Sequence, residues 1–257
     1  MEVVPGVRRL GSRYTNFYLI EDRGKLTMLD AGLPGYWEQL VLELKRAGRR
    51  LQDIDAVLIT HHHPDHVGVA ERVRQGAPAR VYAHIADAPL ISGRQRERPP
   101  NFLAQLGRPF VFRYLVHSVM AGAARRAPVA SLETFADGEV LDIPGRPRVI
   151  HVPGHTAGQC ALLLESRSVL FSADALVTYD ALSGRPGPTL MPDFVNDDSS
   201  QALESLSAIE QIEAGVLLPG HGEPWRSGVG EAVRLARERA SASAVPGPRP
   251  TIALTRR

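Results

Sequence analysis

Cysteine occurs once in the 257 residues, at position 160, so no intrachain disulfide can form and a cytoplasmic protein is expected. A lone Cys160 reads as a small buried hydrophobe. Lysine is almost as scarce. Only Lys25 and Lys45 occur, both on apparent scaffold elements, which argues against a catalytic lysine. No run of about 18 uncharged apolar residues exists, so no membrane span is expected. Met1-Glu2-Val3-Val4-Pro5 lacks the basic region and apolar core of a signal peptide. An excess of one charge is also missing: a formal +2 is too small to imply a nucleic-acid partner by itself. What remains is an ordinary globular composition, 44% hydrophobic, in a chain long enough to bury a substantial core. One domain over residues 1–240 is expected, with residues 241–257, of linker composition, as a flexible tail.

The first half reads as strands followed by helices. Phe17–Ile20 and Leu26–Leu29 flank Asp22-Arg23-Gly24, a hairpin signal. Residues 36–47 have helical spacing, 56–59 form a buried strand, 67–75 a helix and 80–83 a short strand. In the second half, strands are expected at 139–142, 148–152, 160–164, 168–172 and 216–218, with turns at Asp137-Gly138 and Pro144-Gly145. An amphipathic helix is expected over 198–213, with Ala202, Leu206, Ile209 and Ile212 on one face. Two strand-rich halves with helices between them imply an α/β fold of two sheets packed face to face, helices outside. Residues 93–128 break this rhythm. They hold seven arginines (94, 96, 98, 108, 113, 125, 126) against one acid, Glu97, interleaved with large apolar residues such as Phe102, Leu103, Leu106, Phe110, Val111, Phe112, Tyr114, Leu115, Val116 and Met120. This predicts a basic, apolar, helical insertion: either a helical cover over the core, or a lid or pocket wall that meets substrate, lipid or a second subunit of a homodimer.

The densest chemistry lies in Thr60-His61-His62-His63-Pro64-Asp65-His66, directly after an apolar strand. Imidazole nitrogen and carboxylate oxygen suit zinc, and also manganese or iron. Further ligand types stand at later strand ends: His155 in Pro153-Gly154-His155, Asp174 after Val169-Leu170-Phe171, and His221 in Pro219-Gly220-His221. In both histidine motifs Pro-Gly predicts a tight turn with close backbone approach to the site. Seven ligand-type residues at strand-to-loop junctions point to a metal centre. His84, His117 and His151 read as structural, although His151, four residues before His155 on a strand, is placed to contact the site. Tyr179 is within reach of a substrate oxygen but reads first as a packing residue.

From about Asn16 to Pro224 the chain resembles the metallo-β-lactamase-fold hydrolases, on the combination His-x-His-x-Asp-His, Asp30 in Leu29-Asp30-Ala31-Gly32, His155, Asp174 and His221. The resemblance implies a four-layer αββα sandwich of two mixed sheets and two divalent metals, zinc first, with Mn2+ or Fe2+ as alternatives. It assigns His61, His63 and His155 to one metal, Asp65, His66 and His221 to the second, and Asp174 to both. Asp30 would support the site from behind, and His62 occupies the variable position. A hydroxide bridging the metals would be the nucleophile and Asp65 a proton shuttle. One residue departs from the pattern: Ala173 stands where the family usually has glycine, and a Cβ there resists positive φ.

Subfamily patterns narrow the chemistry. True β-lactamases of this fold have Cys or Ser at the position of Asp174. Glyoxalase-II-like thioesterases share all seven ligands but add a helical C-terminal extension, whereas only 36 residues follow His221 here. Quorum-quenching lactonases commonly have tyrosine where Val177 stands. The expectation is a hydrolase of an ester, thioester or lactone, acting on a small molecule whose apolar acyl group lies under residues 93–128, with arginines there for an acidic head group. The alternatives are a phosphodiesterase or nuclease of the same fold and a mononuclear iron sulfur dioxygenase. No nucleic-acid partner is expected, because apolar residues outnumber the charges in 93–128.

Overall fold

The computed structural model describes residues 1–96, 105–125, 127–180 and 184–244. Its first sheet has seven strands in chain order: β1 (Glu2–Val4), β2 (Val7–Gly11), β3 (Asn16–Asp22), β4 (Lys25–Leu29), β5 (Ile54–Ile59), β6 (Arg80–His84) and β7 (Glu133–Phe135). Strands β1 to β4 run antiparallel, and β4 to β7 run parallel. The second sheet is ordered β13-β10-β9-β8, from β8 (Arg148–His151), β9 (Cys160–Leu164), β10 (Val169–Ala173) and β13 (Val216–Pro219). A small ribbon pairs β11 (Val177–Tyr179) with β12 (Pro186–Thr189).

The strand sequences explain why there are four layers. On β3, Phe17 and Leu19 join an outer cluster while Tyr18 and Ile20 join an inner one. On β5, Val57 and Ile59 face outward and Ala56 and Leu58 inward. On β9, Cys160, Leu162 and Leu164 share the inner cluster, and Ala161 and Leu163 pack on the far side. Strands that are apolar on both faces must be covered on both. The inner cluster is therefore the contact between the sheets. Helices α1 (Trp37–Arg46), α2 (Pro64–Val67) and α3 (Ala70–Gly76) cover the first sheet. Helices α6 (Ser199–Ser205), α7 (Ser207–Glu210) and α8 (Val229–Ala244) cover the second.

Several expectations change. The 67–75 helix starts earlier, at Pro64, and is split. Gly68 lies so close to the 32–33 backbone that a Cβ there would come within 2.2 Å of the Gly32 carbonyl. Its N–H donates to that carbonyl instead of continuing a helix (2.8 Å). Residues 139–142 make only an isolated bridge, Val140 to Arg148, and β7 takes the edge position beside β6. The 198–213 helix divides at Leu206, keeping Ala202, Leu206 and Ile209 buried as expected. Ser241–Ala244 belong to α8 and not to a loose tail; residues 245–257 lie outside the described residues. Within 93–128, helix α5 (Pro109–Met120) is present, and residues 97–104 and 126 lie outside the described residues.

The segment leaves and rejoins the fold at one point. The Val129 N–H donates to the carbonyl of Ile91 (3.1 Å), the last residue of α4 (Ala88–Ile91). Glu71 on α3 fastens the return: its carboxylate accepts from the Ala130 N–H (3.1 Å) and from Arg74 and Gln75 (2.8 Å each). The Arg74 hydrogen bond, helped by those of Ala130 and Gln75 against the cost of burial, lowers the Glu71 pKa from 4.5 to about 2. Because the folded value lies below the unfolded one, this stabilisation is present above about pH 4.5 and is lost as pH falls toward 2. In urea titrations across this range, Glu71→Gln is expected to lower the midpoint at neutral pH. The gap from the parent protein closes on acidification; a pH-independent gap would show that the ionised carboxylate is not what holds the returning segment.

Candidate metal centre

The two sheets meet at one end in a set of loops, each following a strand. Asp30 follows β4, His61 to His66 follow β5, His155 follows β8, Asp174 follows β10 and His221 follows β13. Ligand sites in α/β folds form at such carboxyl ends of strands. Hydrogen bonds between the sheets hold these ends together. The Cys160 N–H donates to the Thr60 carbonyl (3.1 Å), the Asn16 N–H to Gly220 (2.7 Å) and the Tyr18 hydroxyl to Pro219 (2.7 Å).

All seven predicted ligands converge. Potential donor atoms lie within 4.8 Å of one another in three overlapping groups: His61, His63 and His155; His61, His66 and Asp174; and Asp65, His66 and His221. His63 Nδ1 and His155 Nε2 point at each other across 2.9 Å. Asp174 stands between the groups: its carboxylate lies 2.9 Å from His221 Nε2, 3.5 Å from His66 Nε2, 3.5 Å from His155 Nε2 and 3.9 Å from His61 Nε2. Three of these inward atoms, His61 Nε2, His66 Nε2 and Asp174 Oδ1, are buried with no hydrogen-bond partner. Buried polar atoms without partners are costly, and a divalent cation among nitrogen and carboxylate donors would satisfy them together.

The far side of each ring fixes its direction. His66 Nδ1 donates to Asp30 Oδ2 (2.8 Å). His61 Nδ1 meets the Thr60 hydroxyl (3.1 Å), which itself donates to the Asp30 carboxylate (2.9 and 3.0 Å). Asp30 therefore orients a ligand in more than one group, and it does so from a left-handed backbone (φ 55°) that aspartate tolerates. His155 Nδ1 donates to Asn196 Oδ1 (2.9 Å), and His221 Nδ1 to the Tyr14 carbonyl. Ala173 adopts φ 46°, so the left-handed turn before Asp174 is kept despite the Cβ. At Gly220 a Cβ would lie 2.0 Å from Asp174 Oδ1, so the Pro-Gly-His motif needs glycine for the close approach.

Electrostatics separate the histidines. Burial, reinforced by neighbouring imidazoles, pushes the pKa of His61 and His63 well down, and burial also lowers His155, so these three are neutral and ready to ligate. Burial opposes charge on His66 too, but Asp174, Asp30 and Asp65 outweigh it and raise it to about 10. His221 is raised against burial by Asp174, whose own carboxyl is held far below the usual range by His221 and His66. The carboxylates thus favour a proton on His66 and raise the proton affinity of His221, and cations binding there would compete with those protons.

Four contributors carried no sequence signal of their own. Tyr114 on α5 and Thr15 both donate hydroxyl bonds to Asp65 Oδ2 (3.0 Å each). Asp87 accepts from the His62 backbone and ring, Thr156 and Gly158, pinning the two histidine loops together. Asn196 approaches from a distant loop. His62 bonds Asp87 and belongs to none of the ligand groups. His151 does not join the ligand groups: on β8, ahead of the turn that delivers His155, its ring stacks on His84 (4.2 Å) and bonds the Ala157 carbonyl (2.9 Å). His117 bonds the Tyr36 hydroxyl (2.7 Å) and ties α5 to the scaffold. Tyr179 packs on Phe110 and lines the site cavity of about 850 Å³.

The family model described as the metallo-beta-lactamase superfamily matches residues 10–221. A probable metallo-hydrolase of Bacillus subtilis, YflN, is 28% identical over 236 residues, covering 87% of this chain and 86% of that protein. An atrochrysone carboxyl ACP thioesterase of Aspergillus fumigatus is 24% identical over 212 residues, covering 81% of this chain and half of that protein. Among solved structures, the metallo-beta-lactamase family protein TTHA1429 of Thermus thermophilus superposes with a TM-score of 0.68 at 26% identity, covering 93% of this chain and 81% of that one.

Asp30→Asn keeps the side-chain size and the tolerance of left-handed φ but weakens the charged acceptor for His66 and Thr60. Zinc affinity, read by competition with a chromophoric chelator, is expected to fall roughly 10- to 100-fold. Unchanged affinity would mean that the ligand rings do not depend on this carboxylate.

Proposed function

The chain belongs to the metallo-beta-lactamase superfamily, and from that premise we propose that it is a two-metal hydrolase that cleaves an ester, thioester or lactone bearing an apolar acyl group. The observation that carries this reading is the joining of two sites in one cavity. Its polar end holds the ligand groups, and much of its remaining wall is apolar, including Leu33, Phe110, Val111, Leu115, Met191 and Phe194. His61, His63 and His155 would hold one cation, Asp65, His66 and His221 the other, with Asp174 shared. Zinc is favoured by the nitrogen-rich donor set, with manganese or iron as alternatives. When bound, two such cations supply a water of lowered pKa and positive charge for the developing oxyanion.

The chain's own residues then do the following work. The apolar wall takes the acyl group and excludes water around the scissile carbonyl, which lies at the boundary between the two kinds of lining. Asp65, its Oδ2 fixed by Thr15 and Tyr114, accepts the proton of the attacking water and delivers it to the leaving group. Tyr114 thereby couples the wall helix α5 to the reacting centre. Among the described arginines of 93–128 only Arg96 lines the cavity, so it is the candidate for an acidic head group.

Purified enzyme is expected to turn over acyl lactones or acyl thioesters in preference to aryl phosphodiesters, with about two zinc ions per chain. Turnover of phosphodiesters alone would overturn the carbonyl reading, and one iron per chain with oxygen consumption would replace hydrolysis by oxidation. Asp65→Ala and His66→Ala should each abolish turnover. Tyr114→Phe removes one hydroxyl bond to a charged acceptor and should lower kcat roughly tenfold with metal content unchanged.

A further inference from the structure

Helix α5 is apolar almost all round, Pro-Phe-Val-Phe-Arg-Tyr-Leu-Val-His-Ser-Val-Met, and among the described residues only one side of it is covered. Its inner face, with Phe110, Val111, Tyr114 and Ser118, lines the cavity. On the opposite face Phe112, Val116, Val119 and Met120 are 53%, 47%, 64% and 80% exposed. Their spacing (i, i+4, i+7, i+8) makes them one continuous stripe. A helix of this kind is normally buried in protein or in lipid. Val119 also lines the cavity, so the stripe adjoins the cavity wall.

Charge decides between occupants. Arg108 caps the start of this helix, Arg113 lies on it, and Arg94, Arg96 and Arg125 stand in the segments that precede and follow it; all five are exposed, and the described residues of 93–125 include no acid. A second copy docking by the same face would set arginine against arginine. Anionic lipid headgroups would instead complement the arginines while the acyl region received the stripe. At 12 residues α5 is about 18 Å long, too short to span a bilayer but suited to lying in its interface.

We propose that the outer face of α5, with its flanking arginines, docks the protein on an anionic membrane surface, bringing the adjoining cavity to lipid-borne substrate. Docking itself does not depend on the hydrolase reading, whereas the lipid origin of the substrate does; the binding test below uses no turnover, so each can fail separately.

The test is co-sedimentation of the full-length chain with vesicles of phosphatidylcholine alone and of phosphatidylcholine mixed with phosphatidylserine, at about 0.1 M ionic strength. Partitioning is expected to be at least roughly tenfold stronger on the mixed vesicles and to fall with added salt. Arg108→Gln and Arg113→Gln change exposed side chains and should each weaken binding about fivefold. Phe112→Ser with Met120→Ser should weaken it at least roughly tenfold, with the far-ultraviolet circular dichroism and melting temperature of the parent. Should that double variant unfold, the arginine variants carry the test. Equal binding to both vesicle types, or binding insensitive to these substitutions, would overturn the proposal. So would a concentration-dependent dimer, seen by sedimentation without lipid, that Phe112→Ser abolishes.

Discussion

One carboxylate organises the centre. Asp30 ends β4 in a left-handed turn, and its two oxygens accept from the Thr60 N–H, the Thr60 hydroxyl and His66 Nδ1. Thr60 in turn meets His61 Nδ1. Each bond turns an imidazole so that Nε2 faces inward, and those inward nitrogens are among the buried atoms that lack partners. The strain of the turn is held by parallel pairing of β4 with β5, where the Asp30 N–H donates to the Leu58 carbonyl (2.8 Å).

The two sheets then contribute unlike things. The first sheet supplies the compact histidine cluster on the single loop after β5, while the second delivers His155, Asp174 and His221 from three separate strand ends. Only their packing across the inner core makes one centre of them, and hydrogen bonds from Asn16, Tyr18 and Cys160 set the relative height of the sheets at that end. Buried charge is balanced within the cluster, where His66 and His221 rise in pKa while His61, His63 and His155 fall. The wall opposite this polar end is built by α5, which places Tyr114 on Asp65 and an apolar face beside it.

Local patterns in the chain made much of this legible. The hairpin at Asp22-Arg23-Gly24 follows from turn residues, and both central positions take positive φ, 49° and 80°. Strands with apolar residues on both faces, such as 56–59 and 160–164, announce double coverage. Marginal segments were less legible. Residues 139–142 carry an apolar Val140-Leu141 pair that reads as a short strand but find one bridge, and the helical pattern of 67–75 breaks at Gly68, where a neighbouring backbone leaves no room. Neither outcome is written locally, since each depends on what lies across from the segment.

The seven ligand types and their strand-end positions were determined by the sequence alone, because short continuous apolar runs and Pro-Gly turns fix where a chain must emerge from a sheet. Tyr114, Thr15, Asp87 and Asn196 were decided only by the tertiary structure. Their roles arise from contacts between segments 25 to 50 residues apart or more, as with Tyr114 to Asp65 (49 positions) and His62 to Asp87 (25 positions). A single tyrosine or asparagine has no spacing to give it away. Likewise the sequence showed that residues 93–128 are basic and apolar, but only the fold separated the face of α5 that lines the cavity from the face left to the outside.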